Sequence, residues 1–267
     1  MTLNVDIVIF RDLFRGGNMK KLSNIVDEVY GDWLRFQNDE NRKKYKQHKG
    51  MFSASSAGTC FRKQHLKRQN LDEPPLDNRV MRLLRLGTIV HEDIQQSLTD
   101  YFKLNKETLK EKLFIEQKIL IPELNVVGHL DIALHNEEKD NVHVYDIKTS
   151  AAYKWKMKFG RNRERNGSVN YNLQVGTYAF GIGEQLQTAD VTMSLLWYNK
   201  DNSQLREEPI SNEWIGNAIE YWEEVNETLE GVTSENGEEL VPGSYGVPMM
   251  NWECRYCGFR DIHCAGI

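Results

Sequence analysis

The 267-residue chain contains no apolar run approaching the ~18 residues a bilayer-crossing helix needs, which excludes a helical span. Its opening residues, Met1-Thr2-Leu3-Asn4-Val5-Asp6, lack a basic stretch followed by a long apolar core, so a secretion signal is not read and cytoplasmic residence is expected. Positive charge is not in excess either. The formal net charge of -5 argues against a protein that coats nucleic acid by bulk attraction. A Gly-x-x-x-x-Gly-Lys-Ser/Thr phosphate loop, an internal repeat and a low-complexity tract are all missing, which sets aside an ATP-driven motor of that type and a repeat architecture. Cysteine is sparse, with Cys60 alone and Cys254, Cys257 and Cys264 crowded at the far end.

What remains is the composition of one elaborated domain with a substantial core. Residues 1–18 lack periodicity and are given no role. Residues 19–250 are expected to form the main domain, with a Gly-, Pro- and Ser-rich linker over 231–250, and residues 251–267 a cysteine-bearing cap. Basic residues gather in Arg42-Lys43-Lys44-Tyr45-Lys46, around Arg62, and from Lys154 and Lys156 through Arg161, Arg163 and Arg165. Such clusters suit a groove that holds phosphates, although solvated helix faces give the same pattern.

Periodicity predicts a helix from about Leu22 to Phe36, a basic loop over 38–57 and a turn at Pro74-Pro75. From Val80 to Leu98, residues Val80, Leu84, Gly87, His91, Ile94 and Leu98 recur at steps of three and four, which places His91 on the inward stripe of a helix. The period then changes to alternation. Strands are predicted over Lys112–Ile121, Val126–Leu134 and Val142–Thr149, the last two forming a hairpin. A helix over Tyr171–Leu186, a strand over Val191–Asn199 with Gln204–Ile210 beside it, and a helix over Trp214–Leu229 complete an α/β or α+β pattern: a mixed central sheet flanked by helices.

On a strand, Asp146 and Lys148 project from one side while Ile147 points into the core. Asp131, in Gly128-His129-Leu130-Asp131 on the preceding strand, reaches the same side where the register allows. Two neighbouring carboxylates repel unless a cation lies between them. Hard oxygen ligands with open positions select Mg or Mn, which binds a phosphate oxygen and lowers the pKa of a bound water. Lys148 would orient or deprotonate that water, or neutralise charge on the phosphate. The competing reading is an exposed, salt-bridged strand pair, since the Asp-x-Lys triplet is common. His91 could complete the metal shell, with His129 as a rival imidazole, or be a satisfied core histidine. Gln174 and Tyr178, four apart on one helix face, could contact a DNA backbone, brace Lys148, or simply pack.

Taken together, Gly-x-x-Asp, Asp-x-Lys and Gln-x-x-x-Tyr resemble the RecB-type branch of the PD-(D/E)XK nucleases over roughly residues 53–264, although residue 130 is Leu where the superfamily name has Pro. The resemblance implies a metal-dependent DNA exonuclease acting on single-stranded ends in recombination, repair, replication or CRISPR adaptation. Its relatives include CRISPR-associated and phage-encoded enzymes, and its partners would be proteins of those processes in a bacterial, archaeal or phage-infected cell. It implies His91, Asp131, Asp146 and the carbonyl of Ile147 as metal ligands, Glu116 as a further acid, Lys148 as the catalytic lysine, and Gln174 and Tyr178 as supporting residues. Arg62, Lys154, Lys156 and Arg161 become candidate DNA contacts. An idle DNA-binding scaffold and a site-specific endonuclease are the alternatives.

Cys254-x2-Cys257-x6-Cys264 brings three thiolates within reach of one centre. The one-plus-three split with Cys60 is similar to RecB-type nucleases that carry a [4Fe-4S] cluster, which implies a clasp joining the two ends of the chain. Zinc is the main rival, and disulfides or unrelated buried thiols the lesser ones. Trp252, Tyr256 and Phe259 would pack around such a site or stack on bases.

Overall fold

The computed structural model describes residues 21–45, 50–69, 71, 76–161, 168–230 and 253–264. The predicted leader, the Pro74-Pro75 turn, Lys46, Arg163, Arg165, the 231–250 linker and Trp252 lie outside the described residues. The chain divides into two compact units, residues 1–47 with 75–86 and residues 48–74 with 87–267.

The first unit joins helix α1 (Leu22–Tyr45) to the opening turns of α3 (Asn78–Leu104). The Asn78 amide donates to the Asp27 carbonyl at 3.1 Å, and Arg35 Nη1 donates to Asn78 Oδ1 at 2.8 Å. Helix α1 runs well past Phe36, through what the sequence suggested was a basic loop. Residues 38–45 carry no apolar rhythm, but they also carry no Gly or Pro, and Glu, Arg and Lys are good helix formers. Leu84, expected on the inward stripe of α3, is 58% exposed.

The second unit is built on β3 (Val126–Asn136), whose alternating side chains serve two ladders. Along one edge β2 (Glu111–Ile121) pairs antiparallel over the whole length. On the other edge β4 (Asn141–Ser150) pairs antiparallel only between Asn136↔Asn141 and Ile132↔Tyr145, while the two-residue β1 (Phe52–Ser53) runs parallel beside Val126 and Val127. Among the described residues, β3 positions 128–131 therefore have no strand partner on that edge, and the sheet forks there. Strand β5 (Asp190–Asn199) lies parallel to β4, and β6 (Leu205–Ile210) closes the edge antiparallel to β5. The order is β1-β3-β4-β5-β6 with β2 also on β3, a mixed sheet with flanking helices as predicted, with β1 a sixth strand inside the segment read as a loop.

Helix α2 (Phe61–Arg68) follows β1, and the crossover from β4 to β5 carries α4 (Ala152–Phe159) and α5 (Val169–Leu186). Val142, Val144, Met193 and Leu195 form the core with Val175, Ala179 and Ile182 of α5. Gly176 lets α6 (Glu213–Glu230) approach, because a Cβ there would lie 2.3 Å from the Trp214 carbonyl oxygen. Trp222 of α6 stacks on Phe52 at 5.8 Å and donates its indole N–H to Thr177 Oγ1 at 2.8 Å, satisfying the one polar atom of a fully buried ring. Residues 253–264 close the second unit with a short 3-10 turn (Glu253–Tyr256) and α7 (Arg260–His263).

Candidate active site

The fork in the sheet collects the predicted residues. Past Ile132↔Tyr145 the backbone ladder stops, and the Asp131 carboxylate takes over as acceptor: Ile147 N–H donates to Asp131 Oδ2 at 2.6 Å. Asp131 Oδ1 lies 3.5 Å from His91 Nδ1 of α3. Burial alone would lower the His91 pKa, but the hydrogen bond and charge of Asp131, with Asp146 adding to them, outweigh it and raise it.

Asp146 and Lys148 share a face, as strand alternation requires. Asp146 is 1% exposed, and its Oδ2 lies 2.6 Å from Lys148 Nζ. Burial pushes the Asp146 carboxyl upward against the attraction of Lys148, and Asp131 adds to the rise. Asp146 Oδ2 is in charge-assisted contact with Lys148 Nζ, and as a carboxylate oxygen it keeps a further lone pair for another partner. Lys148 Nζ also donates to Gln174 Oε1 at 2.8 Å, and Gln174 Nε2 donates to Tyr178 OH at 3.3 Å. Gln174 braces Lys148 directly, and Tyr178 both packs in the core and reaches the lysine through Gln174. Tyr178 is buried, and its pKa is raised first by that burial and then by the charge of Asp146, with Asp131 and Glu116 adding to the rise against the Gln174 hydrogen bond.

Gly128 makes this packing possible. A Cβ there would come within 2.8 Å of both Ala54 Cβ and Tyr178 Cε1. Glu116 sits opposite Asp131 on β2 in the left-handed region, φ 49°, where the regular β2–β3 pairing skips one position. Such backbone strain gathers at sites that need a side chain re-aimed. Gln95, which the sequence reading missed, donates to Glu116 Oε1 at 2.7 Å and to the Asp131 carbonyl at 3.2 Å. Its signal was its position four residues after His91, on the same helix face.

Each acid thus has a protein partner, and among the described residues no three His, Cys, Asp or Glu side chains are drawn closely enough together to hold an ion. The donor chemistry nevertheless fits a hard divalent cation: carboxylate oxygens from Asp131, Asp146 and Glu116, the Asp146 group buried and charged against a lysine.

Of the basic residues, Lys154, Lys156 and Arg161 are exposed on and just after α4. Arg62 is not: it is 8% exposed, and its Nε and Nη1 are buried without a hydrogen-bond partner. Its charge is felt by the Cys264 thiol. All four cysteines are free thiols in this structure. Cys257 interacts electrostatically with both Cys60 and Cys264, and burial raises the pKa of the Cys60 and Cys264 thiols. Glu253 Oε2 accepts the Cys60 backbone N–H at 3.0 Å, linking the two ends of this unit. Phe259 is fully buried, which makes it a packing residue; the Tyr256 side chain lies outside the described residues.

A family model described as the PD-(D/E)XK nuclease superfamily matches residues 92–264. No curated protein sequence matches the chain. Among solved structures, a protein from Eubacterium rectale inferred to be an exonuclease is 14% identical at a TM-score of 0.50, with 85% of this chain and 98% of that one covered. An alkaline exonuclease from Laribacter hongkongensis is 13% identical at a TM-score of 0.43, with 71% and 93% covered. At these identities the likeness concerns the fold alone. No described helix is long and apolar enough to cross a membrane.

Proposed function

The chain belongs to the PD-(D/E)XK nuclease superfamily, and from that membership we propose that it hydrolyses DNA phosphodiester bonds, acting as an exonuclease on single-stranded ends with Mg or Mn. The observation that carries this reading is the clasp on Lys148. Its ammonium is held between Asp146 and Gln174 at the point where the sheet forks beside Asp131. In this reading Asp131, Asp146, the Ile147 carbonyl, Glu116 and His91 would hold the ion. Bound there, a divalent cation would polarise the phosphate and lower the pKa of an attacking water. Asp131 shapes the site by capping the Ile147 N–H, Gln95 aims Glu116, and Lys148 supplies a fixed positive charge for the phosphate. Lys154, Lys156 and Arg161 would steer the strand.

The test is to incubate end-labelled linear and circular single-stranded DNA with Mn. Loss of the linear form only supports the exonuclease, cutting of circles means an endonuclease, and survival of both removes the nuclease reading. A DNA-binding subunit with an idle site is the second reading, favoured by the protein partner that each acid has. Gln95→Leu releases Glu116 and is expected to raise the Mn concentration for half-maximal cleavage by roughly tenfold, the scale of outer-shell changes at metal sites.

For the four thiols we propose a [4Fe-4S] cluster, with zinc as the rival occupant. The buried guanidinium nitrogens of Arg62, without partners beside Cys264, favour an anionic metal-thiolate centre as what they face. Anaerobically purified protein is expected to contain iron and to absorb broadly near roughly 400 nm. Cys264→Ser should lower that iron content, whereas colourless protein with one zinc would assign the site to zinc.

A further inference from the structure

We infer that Tyr171 is a positioning residue for Lys148, holding the ammonium against its ring face. This deepens the reading of Lys148 as the active-site cation and rests on it. The lysine Nζ lies 4.6 Å from the centroid of the Tyr171 ring. An ammonium has three N–H groups. Gln174 Oε1 takes one and Asp146 Oδ2, at 2.6 Å, a second, which leaves the third side of the ammonium to the ring. The aromatic face adds an attraction that depends little on direction, through the negative potential above the ring.

Tyr171, Gln174 and Tyr178 lie at successive steps of three and four along α5, so one stripe of that helix meets the lysine with a ring, an amide and, behind the amide, a hydroxyl. The ring is itself anchored. Trp197 packs edge-on against it at 5.7 Å and 71°, and the Trp197 indole N–H donates to Glu208 Oε2 at 2.9 Å. Phe159 packs edge-on to Trp197 in turn, at 5.7 Å and 88°. A lysine on four rotatable bonds would otherwise sample many positions, and a fixed wall of π density narrows them.

The chemistry separates from space-filling by substitution. Tyr171→Phe keeps the ring and is expected to cleave single-stranded DNA within about twofold of wild type. Tyr171→Leu fills similar space without a quadrupole, and is expected to lower kcat roughly tenfold with KM for DNA and the melting temperature little changed. A fully active Leu variant overturns the inference. So does a Phe variant that falls as far as Leu, which would assign the role to the hydroxyl. Where the Leu variant fails to fold, phenylalanines carrying successive ring fluorines at position 171 replace it: kcat should fall stepwise with fluorination, and a flat series overturns the inference. Lys148→Ala is run alongside. If it cleaves like wild type, the reading of the site fails as a whole. If it is inactive while Tyr171→Leu is not, only the positioning role fails.

Discussion

Asp146→Asn is expected to lower DNA cleavage by at least about a thousandfold while the Kd for DNA stays within a few fold. The negative charge is lost from a buried carboxylate beside Asp131, but shape and the Lys148 neighbourhood are kept. The same substitution should stabilise the ion-free protein. Burial raises the folded-state pKa of Asp146 above its unfolded value, despite the opposing charge of Lys148. A group raised in this way contributes stability below its unfolded pKa, and that contribution is lost as pH climbs through the folded value. Near neutral pH the native protein therefore carries the cost of a buried carboxylate, and asparagine removes it. In EDTA at pH 7 the variant should melt higher than wild type, with the gap closing as pH falls toward about 4. Mn should then raise the melting temperature of wild type by binding only the folded state, and raise that of the variant much less. A variant that melts lower than wild type at pH 7, or still cuts, removes Asp146 from the role assigned to it.

Much of this was legible in the sequence, for a physical reason. Successive side chains on a strand point to opposite faces, so the shared side of Asp146 and Lys148 followed from the period alone, although Asp146 and Ile147 are both buried in the structure. Gln174 and Tyr178 followed from helical spacing in the same way. The length of the β3–β4 ladder did not, because it depends on how two strands diverge in space, and so the turn of Asp131 toward the Ile147 N–H could not be read. Arg62 looked like a surface contact because the eight-residue α2 carries few apolar residues to mark its inward face, yet it is buried there with Gln64, His65 and Leu66. Helix α4 read as a basic patch, yet Trp155 and Phe159, four apart, are in ring contact at 4.8 Å, with Phe159 against Trp197. The aromatic wall behind Lys148 comes from α4, α5 and β5 together, a combination no single window contains.

Gly128→Ala is expected to cost about 2 kcal/mol in stability and to reduce cleavage by roughly 30- to 100-fold, a large effect for one methyl group. Gly128 is the first residue of the Gly-x-x-Asp motif, and the structure gives the motif a packing reason. The added Cβ would meet Ala54 Cβ and Tyr178 Cε1, both at 2.8 Å, closer than carbon atoms tolerate, and both neighbours are held by the core. Tyr178 has little room to yield, since its hydroxyl receives the Gln174 amide and Gln174 in turn holds Lys148. A ring displaced at Gly128 is therefore felt at the ammonium through two hydrogen bonds. Adding Ala54→Gly removes one of the two collisions and should recover part of the lost stability, a non-additive pair measurable by denaturant melts. Because the Tyr178 contact persists, cleavage in the double variant should recover less than stability does. Equal recovery of both would mean that Gly128 acts through Ala54 and the core alone, with no line to Lys148.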